Sequence, residues 1–392
     1  MIKLSAFLAM RQLLHRGRSS IGGLLGVCVA VILMFMQLGF RNALYDSAVK
    51  IPESLDADIF VTGPQYVSMA FSPPWLSRQI LLEARSVAGV EDVRPFYAFS
   101  GQLRSPRTGT NMSGWILAFD LDKPVFKPAE LNDKIPLLRL PDSAIMDRKS
   151  RYDYTVLRDA MDAGRTPSIA IHQPGATLAP VITLNGMFTL GPSFTIDGLI
   201  VTSDLNFYRA LRIPLDRVSM GLVTLAPGTD VAGSALRLQA ALGGRARVMT
   251  RDQYIAAEKN FYATRTPIGI IFNIGLFVGV VVGVVFISQV LHGIINANLR
   301  EYAVLVAMGY KSYFFMLIVF EIATAIAVLT FLPSLGLSAG LYSLAGWATQ
   351  LPLTLRGGSI AGVFVLVLLM GNLAAVLAMR KLKLANPLEL FS

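Results

Sequence analysis

Residues Thr266 to Leu299 read TPIGIIFNIGLFVGVVVGVVFISQVLHGIINANL, 34 positions without a Lys, Arg, Asp or Glu. A helix needs about 20 such residues to cross the hydrocarbon core of a bilayer, so this run is a membrane span with residues to spare. Three further windows share its character: Ile21 to Phe40, Ser312 to Leu355 with Glu321 as its one charge, and Gly357 to Met379. The third is too long for a simple span and is interrupted by Pro333, Gly336, Gly340, Gly346 and Pro352. It reads as a helix over 312–332 that can run further, followed by an outer loop over 333–356. A mean hydropathy of +0.55 with only 15% charged residues agrees with this reading.

Four spans put both termini on one side, and basic residues beside short loops are retained in the cytoplasm. Lys3, Arg11, Arg16 and Arg18 precede the first span, Arg300 and Lys311 lie between the second and third, and Arg380, Lys381 and Lys383 follow the fourth. Only Arg356 occupies the opposite short loop. Both termini are therefore expected in the cytoplasm, with residues 41–266 outside. The expected fold is an α-helical membrane protein with four transmembrane helices plus a large α+β extracytoplasmic domain between helices 1 and 2.

The net charge of +10 does not point to nucleic acid. Residues 41–266 hold 25 basic and 22 acidic residues, against 10 and 3 in the rest of the chain, so the excess sits at the membrane boundary. It is a topology signal and a contact for anionic lipid. The lone cysteine, Cys28, lies inside the first span and leaves the outer domain without a disulfide. The first span, long and with no clean small-x-small cleavage site behind it, reads as an uncleaved anchor.

Residues 1–20 place Ile2, Leu4, Phe7, Leu8, Leu13 and Leu14 near one helical face with basic residues among them, the pattern of an amphipathic helix on the cytoplasmic leaflet. In the outer domain, 57–62 and the later part of 89–103 read as strands with a helix over 75–88 between them. Residues 218–225, 231–242 and 246–250 repeat strand, helix, strand. The stretch 123–165, rich in charge and proline, reads as exposed loops. From about Arg251 the pattern becomes helical and runs into the second span (267–299), which suggests a stalk joining domain to membrane.

Catalytic constellations are missing. His15, His172 and His292 fall in different compartments and cannot form a zinc site with the single cysteine; there is no phosphate-binding G-x-x-x-x-G-K-[ST] loop. Gly336-Leu-Ser-Ala-Gly340 matches G-x-S-x-G only nominally, in an apolar membrane run without the strand-to-helix turn a hydrolase requires. No enzyme activity, cofactor or metal is expected in this chain.

Three other features carry information. Gly275, Gly279 and Gly283 form overlapping G-x-x-x-G steps, suited either to a subunit interface or to packing within the chain. Glu321, costly inside a membrane, is expected to hydrogen-bond to Gln289 or His292, with a proton or ion relay as the alternative. Residues 300–311, between the second span and the third (312–332), form a short cytoplasmic helix with Glu301 near its start and Gly309 as its stop. Its Tyr302, Leu305, Met308 and Tyr310 would invite a partner.

Arg300-Glu-Tyr-Ala-Val-Leu-Val-Ala-Met-Gly-Tyr310 and the C-terminal Ala385-Asn-Pro-Leu-Glu-Leu-Phe391 are similar to the E-Y-A-T-L-K-A-M-G-Y and A-D-P-A-x-x-F stretches of FtsX/MacB-type ABC transporter permeases. Arg11 to Phe40, Val87 to Pro95 and Thr266 to Phe272 add to the resemblance, which covers nearly the whole chain and is closest to the DevC-like exporter permeases. Val304, Val306 and Asn386 depart from the family's Thr, Lys and Asp. The resemblance implies a homodimeric inner-membrane permease with a MacB-like periplasmic domain, working with a separate ABC ATPase dimer that binds ATP and magnesium. On that footing Arg300, Glu301, Tyr302, Leu305, Met308, Gly309 and Tyr310 couple to the ATPase. A HlyD-type periplasmic adaptor and a TolC-like outer-membrane channel are implied as further partners. An FtsX-like regulator, relaying ATPase motion to a periplasmic enzyme, is the other function the family allows.

Overall fold

The computed structural model describes residues 17–71, 75–105, 108–152, 154–172, 180–191, 197–310, 312–349 and 351–384. The expected amphipathic helix over 1–20 and the C-terminal motif from Ala385 lie outside the described residues, apart from 17–20, which are helical. The chain divides into two compact units: Met1–Ala43, Pro267–Ala348 and Leu353–Ser392 form one, and Leu44–Thr266 with Thr349–Pro352 form the other.

The membrane unit draws on four long helices, Gly17–Ser54, Pro267–Ala297, Ser312–Thr349 and Gly357–Leu384. All four are long and apolar enough to cross a bilayer. Two boundaries differ from expectation. The third helix takes the extension left open for it, through Pro333 to Thr349, and the outer loop expected over 333–356 is reduced to a short connection before Gly357. A proline removes one backbone donor, and membrane helices tolerate this when neighbouring groups satisfy the freed carbonyls. The carbonyl that Pro333 leaves without its usual donor is that of Leu329; on the neighbouring turns Ser334 Oγ donates to the carbonyl of Thr330, and Thr330 Oγ1 to those of Ile326 and Ala327. The expected stalk is also broken. The helix Arg251–Thr264 is separate from Pro267–Ala297, because Pro267 biases Thr266 away from helical torsions. It is the first helix that runs on past its apolar window, to Ser54.

The α+β unit is built on a nine-stranded sheet in the order β11-β1-β10-β3-β4-β8-β5-β7-β6, with an added β3–β6 pairing. The strands are β1 Ile59–Thr62, β2 Leu76–Ser77, β3 Val90–Arg104, β4 Asn111–Phe119, β5 Ser143–Asp147, β6 Ser168–His172, β7 Val181–Phe188, β8 Gly198–Ser203, β9 Arg217–Val218, β10 Met220–Leu225 and β11 Arg247–Thr250. The first lobe comprises β1, the helix Arg78–Arg85, the first half of β3, β10, the helix Val231–Leu242 and β11. That is the β-α-β-β-α-β arrangement of ferredoxin-like domains, with a long insertion between its second and third strands. In the insertion β4, β8, β5, β7 and β6 follow one another and β6 returns to Gln102–Arg104 of β3, so six strands close into a barrel.

Both faces of the sheet are buried. Ile116, Ala118, Ala144, Met146 and Ile200 join one apolar cluster, while Leu117, Phe119, Ile145 and Val201 join the other. These strands are continuously apolar for that reason, with no alternation to read. The expectation of exposed loops over 123–165 fails here: it holds two short helices, the fully buried strand β5 and the helix Tyr154–Asp162. Buried at its start, Tyr154 lies where Cβ atoms on Gly114 and Gly198 would collide with it.

Candidate partner-docking helix and its membrane support

Between the second and third spans lies the helix Leu299–Ala307. Asn298 separates it from the second span and turns its side-chain amide back to the Ile294 carbonyl. Its end is a Schellman-type cap: Gly309 has φ +87° and the Tyr310 N–H donates to the Leu305 carbonyl at 3.1 Å. Leu305 and Tyr310, the pair such a cap brings together, both pack on the membrane unit's core, and the Tyr310 ring lies 4.7 Å from that of Phe314. The expectation that all the large apolar side chains of this segment face a partner is thus corrected. Leu305 and Tyr310 root the helix, while Glu301, Val304, Ala307 and Met308 stay exposed, Met308 at 69%. The side chains of Arg300 and Tyr302 lie outside the described set.

The second span packs antiparallel to the first along a seam in which glycine changes sides. In one half, Gly23 and Gly26 of the first helix receive Val290 and Phe286 of the second. In the other half, Gly275 and Gly279 of the second receive Gln37 and Met34 of the first, and Gly283 lies against Met370 and Ala30. A Cβ at Gly279 would sit 2.9 Å from Met34 Cγ. Of the two readings of the glycine steps, packing within the chain is the one these contacts occupy. The first and third helices are joined by polar groups: Ser334 Oγ donates to the Cys28 carbonyl at 3.3 Å, and the Tyr342 hydroxyl to that of Phe35.

Glu321 is half-buried in the third helix. Gln289 is exposed, His292 Nδ1 bonds the Ser288 carbonyl at 2.8 Å within its own helix, and His292 Nε2 has no hydrogen-bond partner among the described residues. An i−4 carbonyl is the nearest acceptor a helical side chain can find, and His292 Nδ1 takes it.

Sequence reading missed a polar cluster in the α+β unit. Glu258, on the inner face of Arg251–Thr264 and 1% exposed, accepts from the Tyr66 hydroxyl at 2.6 Å, the Met69 N–H at 3.0 Å and Ser68 Oγ at 3.2 Å. The Tyr66 and Tyr254 hydroxyls bond each other. Burial holds the Glu258 carboxyl above its usual range against the pull of these donors, and burial likewise raises both tyrosines. A second buried carboxyl, Asp147, accepts from the N–H groups of Lys149, Leu190 and Gly191 and is also raised by burial. The one legible signal was an acid standing among Tyr254, Phe261 and Tyr262 at helical spacing.

Comparison with known proteins finds a match to the FtsX-like permease C-terminal family over residues 273–387, which takes in most of the second span, the short helix and the third and fourth spans. No curated protein matches the chain. Among solved structures, the periplasmic region of MacB from Actinobacillus actinomycetemcomitans is similar at 10% identity and TM-score 0.34, covering 54% of this chain and 96% of that one. The extracellular domain of the noncanonic ABC-type transporter YknZ from Gram-positive bacteria is similar at 11% identity and TM-score 0.33, covering 50% of this chain and 100% of that one. Residues 273–387, the C-terminal membrane region, are thus similar to the C-terminal region of FtsX-like permeases.

Proposed function

We propose that this chain is the membrane subunit of an ABC exporter, closest to the DevC-like permeases, and that it transmits the motion of a separate ATPase to its α+β domain. The observation that carries this reading is the short helix Leu299–Ala307, which lies within the FtsX-like match and holds a ridge of Glu301, Val304, Ala307 and Met308 outward while its other side is rooted in the membrane core. A ridge mounted on the ends of two spans turns a push from a partner into helix displacement. ATP and magnesium belong to that partner, and this chain contributes no catalytic step. The basic residues beside the spans support a topology with the short helix and both termini in the cytoplasm and the α+β domain in the periplasm. There the domain would meet a HlyD-type adaptor that leads to a TolC-like channel. Two copies work with an ATPase dimer, and exposed residues of the second span such as Ile274, Phe277 and Val281 are available to the second copy or to lipid.

The test is Glu301→Arg combined with Met308→Asp in the reconstituted complex. Loss of ATPase association and of its stimulation is expected, and retention of both at wild-type levels would sink the coupling assignment. A regulatory role toward a periplasmic enzyme shares the same docking helix. Deleting a neighbouring adaptor gene separates the two roles: export stops under the first and is indifferent under the second.

A further inference from the structure

After β1 the chain forms a strap, Gly63 to Phe71, that belongs to no strand of the sheet and ends in a single 3-10 turn at Met69–Phe71. Glu258 ties this strap to the helix Arg251–Thr264, and the two oxygens of its carboxyl carry unequal loads. Oε1 accepts from both the Tyr66 hydroxyl at 2.6 Å and the Met69 N–H at 3.0 Å, whereas Oε2 accepts from one rotatable group, Ser68 Oγ, at 3.2 Å. A proton therefore belongs on Oε2, where the Ser68 hydroxyl can turn from donor to acceptor. Its oxygen takes the Ala70 N–H at 3.2 Å and keeps a second lone pair. Both bonds to Oε1 survive that change, so the closed strap is compatible with a neutral Glu258.

The ionised form is less well served. Glu258, Tyr66 and Ser68 are at most 3% exposed, which keeps water from the carboxylate. The groups that face it bring no compensating charge. Tyr66 comes from the strap, Tyr254 and Tyr262 come from Glu258's own helix, and β1, packed on that helix, holds no titratable side chain. β11 supplies Arg247, but its Nη1 bonds the Tyr66 carbonyl at 3.4 Å, and Lys259 is drawn to Asp46 at 3.9 Å. Among the described residues no ion pair reaches Glu258. A buried carboxylate without a cation has two ways out: it takes a proton, or the strap opens and admits water.

We propose that the strap 63–71 is a proton-controlled latch: with Glu258 neutral it stays closed on the helix Arg251–Thr264, and loss of that proton loosens it. Acid closes the latch and alkali opens it. The sign follows from linkage, because the enclosed carboxyl holds its proton above the value of 4.5 that a solvated glutamate returns to on opening. Between those two values the closing equilibrium should weaken by about tenfold per pH unit, and beyond the upper one it should be level.

The test is amide hydrogen exchange of the full chain in detergent micelles. It is followed at Met69, whose N–H donates to Glu258, and at Ile200 in β8, which reports global unfolding. After correction for intrinsic exchange, the opening constant at Met69 should rise with pH and then level off, while Ile200 stays better protected throughout. In Glu258→Gln, which keeps the shape and cannot ionise, the rise should vanish. In Ser68→Ala, which withdraws a donor from the ionised carboxyl and so makes ionisation harder, the levelling should move to higher pH. An opening constant at Met69 that ignores pH, falls with it, equals that of Ile200 or rises equally in Glu258→Gln overturns the proposal. If Glu258→Gln does not fold, Ser68→Ala decides alone: levelling at an unchanged or lower pH overturns the latch.

Discussion

The membrane unit and the α+β unit both keep polar atoms away from water, and they satisfy them with different chemistry. In the spans several buried hydroxyls turn to helix carbonyls, Thr330 to Ile326, Ser334 to Cys28 and Thr330, and Tyr342 to Phe35, while Ser338 Oγ has no hydrogen-bond partner among the described residues. In the α+β unit whole carboxyls are buried, Glu258 held by the Met69 N–H and the Tyr66 and Ser68 hydroxyls, and Asp147 by the N–H groups of Lys149, Leu190 and Gly191. The difference follows from what a helix has to spare. Its N–H groups are consumed by i−4 bonds, while each carbonyl keeps a second lone pair, so a membrane helix offers acceptors to donors. A carboxylate needs donors, and only loops and turns such as those at Met69 and Gly191 have free ones.

Glycine marks the same divide. The first two spans approach through a seam of five glycines because no hydrophobic force drives helices together in lipid and close contact must do so. The α+β unit instead buries apolar side chains on both faces of its sheet.

Breaking the carboxyl cluster should cost most. Glu258→Ala leaves three buried donors without an acceptor and is expected to destabilise the α+β unit by roughly 3–5 kcal/mol, read as a lowered denaturant midpoint of the purified chain. On the membrane side, Gly279→Leu drives a side chain into Met34 and should cost about 1–3 kcal/mol. Gly336→Leu, with nothing within 4 Å of its Cβ, should leave thermal unfolding in detergent nearly unchanged. Equal effects from the two would remove the seam as the reason for these glycines. Gly309→Ala places a Cβ at φ +87° and should loosen the cap of the docking helix by about 1 kcal/mol. Its signature would be faster amide exchange at Tyr310.

The smallest expected effect is one of pH. The Glu258 carboxyl is raised in the fold above its model value of 4.5, so the fold holds that proton more tightly than the unfolded chain does. Its contribution is therefore full below about 4.5 and is lost as pH rises through the folded value. Asp147, raised from 3.8, acts with the same sign. Stability plotted against pH above 4.5 should consequently fall less steeply in Glu258→Gln than in the parent chain, and parallel curves would show that Glu258 does not titrate differently on folding.

The spans were legible because a bilayer tolerates so little charge that its absence over 20 residues is decisive. The strand, helix, strand units at the two ends of the α+β unit were legible for a related reason: their apolar positions recur with the period of the element, and Val231–Leu242 was read to the residue. The middle was not. β5 is a short apolar run, Ser143–Asp147, whose neighbours Arg139, Asp142 and Arg148 make the stretch look solvated. The break at Pro267 is legible too, since a proline biases the residue before it away from helix.

For the docking helix, local sequence set its existence and its end, since Gly309 can adopt a left-handed conformation that other residues resist. Which of its sides stays exposed depended on Leu305 and Tyr310 finding the membrane core. Charge-free length, periodicity and capping act between residues a few positions apart and can be read along the chain. The return of β6 to β3, the antiparallel seam and the meeting of Tyr66 with Glu258 join residues 66 to 267 positions apart. Those pairings exist only after the chain has folded back on itself, so the tertiary structure alone decided them.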